Sequence, residues 1–403
     1  MQRLKQIISR NTVIYKIAEN TVDFVNWFYD NTINRLFWYM FSIKPIQDNK
    51  IVISSYFGRG FSDNAKYIVE ELLKRDKKYD LVWLVSNLEK NEDFPKEVRL
   101  VKHKSVRAIY EYVTAKLWID NSRKNHYIRK RKSQIYIQTW HGGIALKKIE
   151  KDAEDSLPKN YVRFAKTDSK NADLFISNST FNTKMYKDAF WYDGEILECG
   201  VPRNDLLFNE AGEITKKIKK SFNIDCNKKI VMYAPTFRKD YNIDVYKFDY
   251  EACIKEFEKA FQQEFVMLIR LHPNVFTKSK ELNFSSKNII NASFYPDMQE
   301  LLAASDILIT DYSSSMFDFM LTRKPCFIYA NDINQYINDR GFYFDINKLP
   351  PIISTSTEEF ISNIRAFDSK KYLDEVGRFI EKQGCIDNGT ASVKVADWIE
   401  KNM

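Results

Sequence analysis

The chain has 403 residues, with Lys+Arg 62 against Asp+Glu 54 and a formal charge of +8. Hydrophobic residues make up 44% and Gly 11 and Pro 10 are few, which excludes a long low-complexity chain and leaves material for two packed domains. The moderate basic excess suits an anionic partner, such as lipid headgroups or a phosphorylated substrate, and equally an ordinary solvated surface.

The first 45 residues read as amphipathic helices. Leu4, Ile7, Ile8, Ile14, Ile17 and Ala18 recur at helical spacing beside Arg3, Lys5, Arg10 and Lys16. Residues 22–43 are rich in Trp, Phe and Tyr but are interrupted by Asp23, Asp30 and Arg35. A charge inside a spanning helix is costly, so a membrane span is rejected. Such a segment can lie in the bilayer interface or pack on the protein's own core. No secretory signal is legible in Met1–Arg10.

From Lys50 onward, apolar runs of strand length alternate with helical stretches. The predicted strands are 51–56, 81–86, 98–102, 117–119, 134–139, 174–177 and 195–199, then, after a Lys-rich helix near 210–222, 229–234, 265–271, 287–290, 305–310 and 326–330. Most are nearly continuous in Val, Ile, Leu and aromatics, as strands buried on both faces are. Stretches such as 62–76 and 251–263 read as helices. The alternation predicts an α/β fold with two Rossmann-like domains, 46–208 and 209–370, and a cleft between them at the carboxyl ends of strands. A last helix, 371–403, is expected to pack back on the first domain.

The five cysteines (Cys199, Cys226, Cys253, Cys326 and Cys385) are odd in number, far apart and without a CxxC pair. That excludes a disulfide framework and a zinc site, and points to a reducing compartment. No clustered ligand set stands out, so neither a metal nor an obligatory cofactor is predicted.

Of four histidines, His141 and His272 directly follow predicted strands, one in each domain. His141 precedes Gly142 and Gly143, which allow close backbone approach, and Lys147 and Lys148 follow. Asp311-Tyr312-Ser313-Ser314-Ser315 leaves a strand and enters a helix, where backbone N–H groups and hydroxyls suit a phosphate. Thr236 and Arg238 lie just past another strand, and Arg203 and Asp205 in a strand-exit loop. Arginine grips phosphate oxygens in a fork, although each of these alone also reads as a turn with a surface charge. Asn64 closes a Gly-bearing loop, Gly58-Arg59-Gly60-Phe61-Ser62-Asp63-Asn64.

Taken together, WHGG with following lysines, GVPRND, APTFR, RLHP and TDYSSSMFD, in this order, resemble the CDP-glycerol glycerophosphotransferases of teichoic-acid and capsule synthesis. The resemblance runs from about residue 50 to 345 and implies the GT-B architecture. It implies a peripheral enzyme on the cytoplasmic membrane face. That enzyme would move glycerol phosphate from CDP-glycerol to a lipid-linked polymer acceptor and release CMP. His141 would be the general base and His272 a catalytic contact to the donor pyrophosphate. Arg238, Thr236, Asp311, Ser313, Ser314, Ser315, Arg203 and Asp205 would bind the donor. Lys147, Lys148, Gly142, Gly143 and Asn64 would contact acceptor or phosphate. The chain departs from the family pattern at Gly143-Ile144-Ala145, where Thr-Pro is frequent. CDP-ribitol remains an alternative donor. A nucleotide-sugar glycosyltransferase and a non-catalytic membrane-surface protein are more remote readings. Nucleic acid is not an expected partner, since no basic stripe carries interleaved aromatics.

Overall fold

The computed structural model describes residues 28–89, 92–124, 127–238, 243–272, 275, 286–336 and 341–403. The helices expected within 1–27 lie outside the described residues. Beyond them, a π-helical turn (Tyr29–Ile33) leads into helix α1 (Asn34–Phe41). Trp38 of α1 is buried edge-on against Trp118, whereas Leu36, Tyr39, Met40 and the following Ile43 are exposed.

The first lobe is a seven-stranded sheet. Its strands are β1 (Gln47–Ser54), β2 (Asp80–Val85), β3 (Val98–Lys102), β4 (Ala115–Asp120), β5 (Ile135–Gln138), β6 (Leu174–Ser177) and β7 (Glu195–Glu198). They run in the order β3-β2-β1-β4-β5-β6-β7, all parallel. The second lobe has β8 (Lys229–Ala234), β9 (Phe265–Ile269), β10 (Ile289–Asn291), β11 (Ile307–Thr310), β12 (Cys326–Tyr329) and β13 (Ile352–Ser354). Their order is β10-β9-β8-β11-β12-β13, again parallel. Central strands are buried along their length, which is why they read as unbroken apolar runs. Cys199, Cys253 and Cys326 sit in these cores.

Each sheet reverses its winding once, between β1 and β4 and between β8 and β11. Such a switch point opens a crevice at the carboxyl ends of the strands. Helices α2 (Asp63–Leu73) and α3 (Val106–Thr114) cover the first sheet. Helices α4 (Met298–Ala304) and α5 (Ser315–Met320) face the other lobe.

Buried polar contacts join the lobes. Lys66 Nζ lies 2.7 Å from both Asp297 Oδ2 and Glu300 Oε1. The other oxygen of Asp297 accepts from Gln299 N, so one carboxylate caps α4 and holds the first lobe. Arg203 bridges Asp63 (3.1 Å) and Asp318 (2.8 Å), and Gln299 donates to Asn204 Oδ1 at 2.7 Å.

The expected single helix 371–403 is two. Helix α6 (Ser369–Gln383) buries Tyr372 and Val376 in the second lobe. It stops at Gly384, whose φ of +62° closes the last turn. Helix α7 (Ala391–Asn402) then buries Ala391, Val395, Ala396 and Ile399 against the first lobe's β1 and α2.

Candidate active site

The two switch points bring the chemistry together. At the end of β1 the chain turns through three consecutive left-handed residues, Tyr56 (φ 44°), Phe57 (φ 58°) and Gly58 (φ 87°). Asp63 (φ 62°) and Trp140 (φ 51°) share that strained conformation nearby. Each such non-glycine residue costs about 1–3 kcal/mol and persists only where its surroundings force it. Gly58 is obligatory: a Cβ there would meet Ser86 N at 2.7 Å. The turn is pinned by Asn121 Oδ1, which accepts from Tyr56 N at 2.8 Å, and it presents Arg59 as an exposed cation.

His141 follows β5 beside this turn. Its Nδ1 is 2.7 Å from the Asn121 carbonyl. A carbonyl only accepts, so Nδ1 carries the proton and Nε2 keeps its lone pair. The ring stacks on Trp140 at 4.3 Å and lies 5.6 Å from the Tyr56 ring. Burial pushes its pKa below 6.5, opposed by the hydrogen bond to Asn121 and the charge of Asp63. The imidazole is therefore neutral at physiological pH, as a general base must be.

His272, past β9, is half-buried against Phe237. Burial, then the positive charges of Arg59, Lys147 and Arg270, lower its pKa to about 4. Arg59 belongs to the first lobe and Arg270 to the second, so cations from both sides converge on His272. Lys147 also lies over the Tyr336 ring, 4.8 Å from its centroid. The 56–59 turn is thus a neighbour of both histidines, through Tyr56 for His141 and Arg59 for His272. In the serine loop, Ser313 and Ser315 hydroxyls lie 2.8 Å apart and all three serines are partly exposed. Lys148 is exposed and Gly142 buried.

Several expected ligand residues are committed elsewhere. Arg238 donates to both oxygens of Asp332 (2.6 and 3.1 Å) and to Thr236 O and Oγ1 (2.8 Å each), and pairs with Asp311 at 2.9 Å. These contacts occupy its buried fork and tie together the loops that follow β8, β11 and β12. Arg203 is neutralised by Asp63 and Asp318 between the lobes. Asp205 accepts from Ala391 N and Ser392 N, capping α7. Asn64 is fully buried; it accepts from Arg203 N and donates to Thr139 O and Trp140 O, which shapes the His141 loop. Gly143 is a packing requirement, since a Cβ would come within 2.9 Å of Asp318 Oδ1.

Sequence reasoning missed Arg59, Asn121, Tyr56, Asp63, Arg270 and Asp318. Two of them had a signal: Asn121 directly follows a strand flanking the switch point, and Arg59 lies in the Gly-bearing loop after the other. Among the described residues, no group of three or more His, Cys, Asp or Glu is arranged to hold a metal.

Two parallel-sheet lobes around a shared cleft define a GT-B-like transferase architecture. Within it, the chain belongs to the CDP-glycerol:poly(glycerophosphate) glycerophosphotransferase family, which it matches over residues 36–401. It is 34% identical over 377 residues to the teichoic acid poly(glycerol phosphate) polymerase of Staphylococcus epidermidis, covering 90% of this chain and 51% of that protein. It is 33% identical over 368 residues to the teichoic acid glycerol-phosphate transferase of Staphylococcus aureus, covering 88% and 93%. The chain thus spans about half the length of some relatives and nearly all of others. A solved structure of the wall teichoic acid polymerase TagF superposes with a TM-score of 0.82 at 32% identity, covering 96% of this chain and 97% of that one.

Proposed function

We propose that this chain transfers glycerol phosphate from CDP-glycerol to a terminal hydroxyl of a lipid-linked teichoic-acid or capsule acceptor, releasing CMP. The acceptor oxygen bonds to the phosphorus bearing glycerol, the bond from that phosphorus to the bridging oxygen breaks, and the hydroxyl proton passes to His141 Nε2. CMP leaves with the bond's electron pair. Arg59, Arg270 and Lys147 balance charge on the pyrophosphate, while neutral His272 and the hydroxyls of Ser313–Ser315 hydrogen-bond to it. Phosphoryl transfer depends mainly on such positioning and electrostatics. The observation that carries this reading is the neutral His141, its tautomer set by Asn121 O, opposite a cationic gap in a chain of this family. Glycerol is favoured over ribitol because the glycerol-phosphate relatives named above reach 33–34% identity whereas a poly(ribitol-phosphate) polymerase reaches 27%.

The exposed Leu36, Tyr39 and Met40 project from a helix that Trp38 anchors, with exposed Ile43 just past its end, an arrangement suited to docking on the cytoplasmic membrane face where a lipid-linked acceptor resides. Among the described residues no helix is long and apolar enough to cross a membrane. Incubation with CDP-glycerol, CDP-ribitol or a UDP-sugar and a lipid-linked acceptor tests the reading. CMP release from CDP-glycerol, abolished in a folded His141→Ala protein, is expected. Preferential consumption of the UDP-sugar, or near-normal turnover in His141→Ala, refutes it.

A further inference from the structure

The segment after His141 belongs to both lobes. His141 itself is held by first-lobe groups, Asn121 O and the Trp140 ring. Two residues on, Gly143 abuts Asp318 of α5. Ile144 and Leu146 are then buried in the second lobe's core with Met316, Phe317 and Ile346, while Ala145 and Ile149 pack against the first lobe's core. Side chains that alternate in this way mark an extended strand with a different core on each face.

Its partner is 341–344. Tyr343 N donates to Leu146 O (2.8 Å), Lys148 N to Gly341 O (3.1 Å), and Lys147 pairs antiparallel with Phe342. The partner alternates reciprocally: Phe342 and Phe344 join the second lobe's core, and Tyr343 packs on the first. Tyr343 Oη also donates to Asp152 Oδ2 at 2.6 Å. The pairing of this two-stranded ribbon starts five residues from His141.

We propose that the ribbon is a positioning device for transfer, in which Leu146 and Tyr343 set where His141 stands relative to the donor's phosphorus by tying its loop to the donor lobe. The proposal rests on the transferase reading above. Neither residue touches the reacting atoms; they act through His141. Misplacing a reacting group by about 1 Å can cost ~100-fold in rate.

The test compares Leu146→Ala, Leu146→Met and Tyr343→Phe with the parent for turnover, melting temperature and CDP-glycerol affinity by calorimetry. Leu146→Ala is expected to lower kcat by ~100-fold with donor affinity unchanged, and the volume-conserving Leu146→Met to restore most of it. Equal losses of kcat and donor affinity, or unchanged kcat in Leu146→Ala, overturn the proposal. Should Leu146→Ala not fold, Tyr343→Phe keeps the ring and removes only the tie to Asp152. Reduced kcat at unchanged donor affinity supports the device, and unchanged kcat overturns it. A parent protein inert toward CDP-glycerol would fail the transferase reading instead. The ribbon is then judged by amide exchange at 139–142 in Leu146→Ala: faster exchange supports the tie and unchanged exchange overturns it.

Discussion

Replacing Arg203 with Met removes the cation between Asp63 and Asp318 while nearly conserving volume. All three side chains are at most 7% exposed. Asp63 keeps bonds from the Tyr56 hydroxyl and Asn64 N, but Asp318 keeps only long contacts from Asn204 (3.3 Å) and Gln299 (3.4 Å). Leaving a buried charge unpaired costs about 3–5 kcal/mol. At roughly 2–4 °C per kcal/mol for lobes of this size, melting should fall by roughly 6–20 °C. Differential scanning calorimetry reads this directly. Adding Asp63→Asn and Asp318→Asn should recover much of the loss, because the uncompensated charge is then gone. Arg203→Met melting within about 2 °C of the parent would refute the reasoning. The same change removes a positive charge that depresses the His141 pKa, so the acid limb of the pH–rate profile should move up.

In the parent, that acid limb should lie below pH 6.5, since burial favours neutral imidazole; a limb above 6.5 in kcat/KM would contradict it. Arg59→Ala should lower CDP-glycerol turnover by about 10–100-fold through lost charge balance, while melting stays within about 2 °C because the side chain is exposed. The Asp387 carboxyl is raised from 3.8 to about 6, mainly by burial. The native state therefore binds its proton more tightly than the unfolded chain. The resulting stability is full below pH 3.8 and is lost as pH rises through about 6, a change of up to ~3 kcal/mol. Asp387→Asn should flatten that slope in denaturant titrations at pH 4.5 and 7.

The two-sheet fold was legible because central parallel strands are buried on both faces and so form unbroken apolar runs. β13 was not legible: three residues after Pro350-Pro351, at a sheet edge, carry no period of their own. The interlobe ribbon was equally hidden, because Gly143-Ile144-Ala145-Leu146 reads as a loop until both cores are in place. His141 and His272 stood out by following strands. The partners of Arg238, Arg203 and Asp205 were hidden for one physical reason: an arginine or aspartate at a strand exit looks free until its partner, 94, 115 or 186 residues away in the chain, is known. Sequence shows where a charge sits along the backbone and not which opposite charge folding brings to it.

Helix α7 supplies apolar side chains to the core of β1 and α2. Translation delivers it long after those strands. At ~5–20 residues per second, the 183 residues between 208 and 391 take roughly 10–40 s to emerge. Throughout that interval the nascent first lobe carries a bare greasy flank, and the ribosome-bound intermediate is the form most exposed to aggregation or chaperone capture. Moving α7 ahead of residue 46 by circular permutation would shorten that window without altering the finished molecule.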